Sequence, residues 1–83
     1  MAIRIHPHAR ERMIERGTNE EEVISTVERG EPFPAKFGRC GFRRNFRHDG
    51  MWRGKYYANK QIEVFATPEG DEWIIITVIA RYY

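Results

Sequence analysis

The chain has 83 residues, of which 41% are apolar and 31% charged, with a net charge of +2 and a single cysteine. That length allows one small domain over residues 1–83 with a thin core, and the composition excludes a disordered chain. One thiol excludes an internally stapled secreted fold, and Cys40 reads as a small buried filler in a reducing compartment.

The longest apolar run, Trp73 to Ala80, is too short to span a bilayer as a helix. The opening residues lack the apolar core of a secretory leader, so the expected setting is cytoplasmic, with no membrane partner. Charge is unevenly placed. Lys36, Arg39, Arg43, Arg44, Arg47, Arg53, Lys55 and Lys60 stand against Asp49 alone, whereas Glu20, Glu21, Glu22, Glu28 and Glu31 cluster earlier. Two electrically distinct sides are expected.

In chain order, Ala2 to Ile5 alternates ahead of Pro7 and predicts a short strand, because the residue before a proline avoids helical angles. A first helix follows from Pro7 to Arg16. Pro7 suits its first position, Ala9, Met13 and Ile14 supply apolar contacts, His8, Arg12 and Arg16 form a second stripe, and Gly17 supplies a left-handed stop. Thr18 with Glu21 reads as a capping box, and Glu20 to Glu22 suit the positive end of a second helix. Val23, Ile24 and Val27 give that helix an apolar face. Gly30 ends it before Pro32 and Pro34, so the two helices form a hairpin.

The period then changes to two: Phe42, Arg44, Phe46 and His48 share one face, Arg43, Asn45 and Arg47 the other. Asp49 and Gly50 predict a turn carrying Trp52, with Met51 to Tyr57 beginning the return. Ala58 to Lys60 marks a second turn or a bulge, Gln61 to Ala66 a strand, and Thr67 to Glu72 a loop. Trp73 to Tyr83, apolar on both faces, reads as a central strand. The expected fold is α+β: a short N-terminal strand, a helical hairpin, then three or four antiparallel strands with both helices on one sheet face.

The basic aromatic segment carries the strongest chemical signal. Arg43 and Arg47, with Trp52, Arg53 and Lys55, offer phosphate contacts beside stacking surfaces, as single-stranded RNA binding requires. The competing reading is a solvated rear face of an antiparallel sheet. Arg44, placed with the core-facing residues, needs a partner. A pair with the glutamates of a helix is favoured, and a bulge that turns Arg44 outward is the alternative.

His6, His8 and His48 have no metal-site spacing, so no metal and no cofactor are expected. Ser25 and the threonines sit in no nucleophile motif, and no glycine-rich phosphate loop is present. Metal-free RNA cleavage stays open because the ribose supplies the nucleophile and the protein need only move protons and stabilise charge. Arg43, Arg47, Lys55 and Arg81 could hold charge; His8, His48, Tyr56, Tyr57, Tyr82 and Tyr83 could move protons. The catalytic candidates retained are His8, Arg47, Lys55, Tyr56 and Arg81.

The run from His8 to Glu31, with Phe42 to Phe46, Trp52 to Ala66 and Ile74 to Tyr83, resembles the domain of unknown function family forty-two fifty-eight. His8, Ala9, Arg12, Met13, Arg16 and Gly17 match its opening signature, and Thr77 and Val78 match its closing strand. The resemblance implies a place in the RelE/ParE-like toxin superfamily, hence a RelE-like domain, a toxin-type ribonuclease and an antitoxin partner lying across the basic sheet. It supplies no catalytic motif, and no helix is expected after the last strand, unlike RelE-type enzymes. The second functional expectation is a non-catalytic interaction module, either a homodimer or the partner of an acidic segment.

Overall fold

The computed structural model describes residues 2–83. Strand β1 (Ala2–Ile5) leads into helices α1 (Pro7–Arg16) and α2 (Glu20–Arg29), followed by β2 (Glu31–Pro34), β3 (Cys40–Trp52), β4 (Lys55–Glu69) and β5 (Glu72–Tyr82). The five strands form one sheet in the order β1-β5-β4-β3-β2. β1 lies parallel to β5 and all other neighbours are antiparallel. The expected α+β architecture is therefore present, with β5 internal to the sheet.

Both helices cover one face. Ala9 and Met13 of α1 and Val23 and Val27 of α2 pack with Ile5, Phe42, Ile62, Val64, Ala66, Ile75 and Val78 of the sheet. The apolar positions recur every three or four residues on the helices and every second residue along β4, the periods that place each set on one face. Among the described residues, the opposite face of the sheet carries no helix.

Local chemistry explains the element boundaries, and several differ from expectation. The second helix is capped by Asn19 and Glu22 rather than Thr18 and Glu21: Asn19 Oδ1 accepts from the Glu22 amide at 2.8 Å and Glu22 Oε1 from the Asn19 amide at 3.3 Å. Thr18 instead donates its hydroxyl to Glu22 at 3.0 Å. Two acceptors in succession compete for the cap, and asparagine, the stronger N-cap, takes it.

The segment after Gly30, from which only the end of the helix was expected, forms edge strand β2, in which Pro32 and Pro34 are tolerated because a strand edge has unpaired amides. Asp49 and Gly50 do not turn the chain. The register shifts between Arg47 and Gly50, with Asp49 at φ 46°, so this is a bulge. The turn is Arg53 and Gly54, at φ 51° and 81°, between paired Trp52 and Lys55, the backbone of a two-residue hairpin loop. Ala58 to Lys60 runs straight through as β4, and β4 continues to Glu69, leaving Gly70 and Asp71 as the turn into β5.

Because β5 ends where Tyr83 bonds Asn59, the earlier part of β4 pairs only with β3, forming a two-stranded ribbon beyond the sheet. The ribbon is held to the helical layer at Gly17. That residue adopts φ 71°, and a Cβ there would lie 2.3 Å from the Trp52 ring and 2.7 Å from the Tyr82 hydroxyl. Trp52 stacks on Tyr82 at 4.8 Å and 14°, and the His48 ring meets Tyr82 edge-on at 5.1 Å.

Donors then converge on the end of α1, whose last carbonyls lack helical partners. Arg53 donates to the Glu15 carbonyl at 3.1 Å, Tyr82 to that of Arg16 at 2.6 Å and Lys60 to that of Gly17 at 3.2 Å. Lys60, only 6% exposed, also pairs with Glu22 at 2.9 Å. Gly17→Ala is expected to cost about 2–5 kcal/mol, combining left-handed strain of about 1–2 kcal/mol with overpacking against Trp52 of about 1–3 kcal/mol. Urea unfolding checks it, and an unchanged midpoint would remove Gly17 as the joint.

Candidate functional site

The alternation along β3 divides the basic segment into groups with different work. On the helical side, Arg44 donates to the Ser25 hydroxyl of α2 and lies 5.3 Å from the centre of the Phe46 ring. The expected pair between Arg44 and a helix glutamate is not formed; Lys60 holds that place with Glu22. A neutral hydroxyl and an aromatic face suffice because Arg44 is only half-buried. Lys60 sits deeper and has the carboxylate.

On the open side, Arg43 of β3 and Arg81 of β5 flank Glu63 of β4. Arg43 donates Nε and Nη2 to Glu63 Oε2 at 3.0 and 2.7 Å, and Arg81 donates to Oε1. Glu63 is 5% exposed, whereas the Arg43 and Arg81 side chains are 39% and 58% exposed. Burial alone would raise the Glu63 carboxyl, but the hydrogen bonds and charges of Arg81 and Arg43 outweigh it and hold the group below the usual carboxylate range. One anion thus fixes two cations whose remaining N–H groups face solvent.

The same face continues toward the ribbon through Asn45 and Gln61, which bond at 3.1 Å, and Tyr83, whose hydroxyl donates to Asn45 at 3.1 Å. Arg47 follows, opposite Asn59, exposed and without an ion pair or side-chain hydrogen bond among the described residues. In the other direction Arg43 lies over Phe33 at 4.5 Å from its centre, and Phe33 meets Phe65 edge-on. Arg43, Arg47 and Arg81 therefore share one surface.

The other residues singled out from the sequence stand away from the Glu63 centre, although Tyr56 is near enough to Arg47 for that charge to act on its phenol. His8 begins α1, on the layer opposite the open face, where its amide donates to His6 Nδ1 at 3.1 Å. Trp52 and Arg53 bind the end of α1. Lys55 closes the ribbon beside Tyr57, 5.5 Å from its ring centre. Tyr56 donates to Asp49, a bond that foremost pushes its phenol above the ordinary value. Burial, reinforced by Glu22 and opposed by Arg53, raises the Tyr82 hydroxyl and keeps it a donor to α1. His8, Lys55 and Tyr56 are not gathered around Arg81.

Glu63 was missed in the sequence, although a visible signal exists. In Gln61 to Ala66 it is the one charge in an apolar alternation, on the side away from the core. Among the described residues no three His, Cys, Asp or Glu side chains form a group that could hold a metal ion, and no helix is long and apolar enough to cross a membrane.

The family described as a domain of unknown function, DUF4258, matches residues 5–80. The chain belongs to this family. No curated protein and no solved structure matches the chain. In this DUF4258 domain three residues of the opening signature have a folding role, since Ala9 and Met13 enter the core and Gly17 lies under Trp52, whereas Arg12 makes only an exposed pair with Glu15 at 2.7 Å.

The Glu63 pair gives a signed pH dependence. Its folded pKa is below the unfolded value of about 4.3, so its stabilisation is complete above that pH and is lost as pH falls through the lower folded value. Urea unfolding between about pH 2 and 6 should show this slope in the native chain and a shallower one in Glu63→Gln. Equal slopes would deny the carboxylate this role.

Proposed function

We propose that the open face of the sheet binds single-stranded RNA, with phosphates seated on Arg43 and Arg81 and the path continued by Arg47. The observation that carries this reading is the pair of half-exposed guanidiniums held by one buried carboxylate at the centre of a face without a helix. Oriented guanidiniums favour phosphate because their planar N–H pairs match its oxygens, and the fixed side chains lose less freedom on binding. Asn45, Gln61 and Tyr83 add neutral hydrogen-bonding groups between these cations and Arg47.

Binding is favoured over cleavage. Metal-free cleavage needs a base able to take the ribose proton, and Glu63 at the centre of the face has its basicity reduced by two guanidiniums. His8, the imidazole expected for proton transfer, belongs to the opposite layer. The RelE-like relation proposed from the resemblance agrees with the order of helices and strands. In this reading an acidic, antitoxin-like protein segment would meet the same cations and compete with RNA.

A short labelled single-stranded RNA titrated in EDTA should bind at low salt and remain intact. With three phosphate contacts, the logarithm of the association constant should fall against the logarithm of salt concentration with a slope of about −2. Arg47→Ala should reduce that slope by about 0.7 while changing stability by less than about 0.5 kcal/mol. No binding at low salt would end the RNA reading; cyclic-phosphate ends would overturn the preference for binding over cleavage.

A further inference from the structure

The connection from β2 to β3 places a phenylalanine where the backbone is left-handed. Phe37 and Gly38 have φ 62° and 70°, and the Arg39 amide bonds the Lys36 carbonyl at 3.3 Å, closing a tight turn. The first central position of such a turn ordinarily takes Asn, Asp or Gly, since a bulky side chain at positive φ is strained. Here it is phenylalanine, and the residue is 86% exposed. The strain is not offset by burial.

The ring does have defined surroundings. The Arg39 guanidinium lies 5.9 Å from its centre, Lys36 is the preceding residue, and the turn borders a hollow of about 630 Å³ whose other walls include Phe65 and Thr77. Phe65 and Thr77 pair across β4 and β5, and Phe65 lies two residues along β4 from Glu63, on the same face. The hollow thus opens on the same sheet face as the Arg43 and Arg81 seat, with Phe33 standing between Phe65 and Arg43. It combines an exposed aromatic plane with two cations, the pairing that holds an unpaired base together with its phosphate.

We infer that the Lys36 to Arg39 turn is a base subsite, in which an unpaired RNA base stacks on Phe37 above the Phe65 floor and Lys36 and Arg39 take the adjoining phosphate. This rests on the RNA reading of the open face and extends it to a strand running from the turn to the arginine seat. A purely acidic protein segment would use the cations but gain little from an aromatic plane fixed in a strained turn. RNA uses both.

Phe37→Gly separates this role from folding, because glycine relieves the positive-φ strain. The expected result is an unchanged or raised melting temperature together with about ten-fold weaker binding of a short labelled single-stranded RNA, as loss of one stacked base predicts. Phe37→Trp should retain affinity. A lowered melting temperature in Phe37→Gly would make Phe37 a folding residue and overturn the subsite. Wild-type RNA affinity in Phe37→Gly, with binding still weakened by Arg47→Ala, would overturn the subsite alone. Absence of RNA binding by the native chain would overturn the whole reading of the face.

Discussion

Three carbonyl groups at the end of α1 organise much of this molecule. Those of Glu15, Arg16 and Gly17 have no partners within the helix, and Arg53, Tyr82 and Lys60 supply them from the ribbon, the last strand and the middle of β4. A negative helix end attracts cations, so this junction engages two basic residues, the buried Lys60 and the exposed Arg53, from a segment that reads as uniformly basic. Gly17 makes the approach feasible, since any side chain there would meet Trp52 and Tyr82. The ribbon is thereby fixed to the helical layer, and β3 and β4 present their other side to solvent.

The same constraint decides which cations remain for a ligand. Lys60 and Arg53 are committed to the helix end, and Arg44 to Ser25 and Phe46. Arg43 and Arg81 occupy an intermediate position. They stabilise Glu63, yet each keeps enough surface to meet a second anion. Arg47 has no structural partner among the described residues. A basic excess along the chain is therefore a poor measure of a binding surface until each charge has been assigned to a face and a partner.

Periodicity made the larger features legible in the sequence. The division of Phe42, Arg44 and Phe46 from Arg43, Asn45 and Arg47 follows from period two, and the helical hairpin from its caps and apolar spacing. Turn chemistry misled where two signals competed. Asp49 and Gly50 form a familiar turn pair, but Arg53 and Gly54 close the hairpin, and a bulge at Asp49 adjusts the register instead. The N-cap moved by one residue because Thr18 and Asn19 are both acceptors. Cross-strand register, which local sequence does not carry, decides the first; the second follows from the stronger capping preference of asparagine, a local signal that Thr18 obscured.

Glu63 illustrates a different limit. Its position opposite the core was readable, but its low exposure comes from Arg43 and Arg81, residues separated in sequence and joined only by strand order. Without that order, Arg81 reads as a terminal basic residue and Arg43 as one cation among many. With it, the carboxylate has two opposed effects on the face: it lowers the net positive charge, and it fixes the direction of the guanidiniums. For a ligand attracted by charge alone, the first effect weakens binding. For one recognised through oxygen geometry, the second can compensate, because two oriented forks discriminate a phosphate from a diffuse anion. The centre of the face is better suited to positioning a defined anionic group than to collecting negative charge.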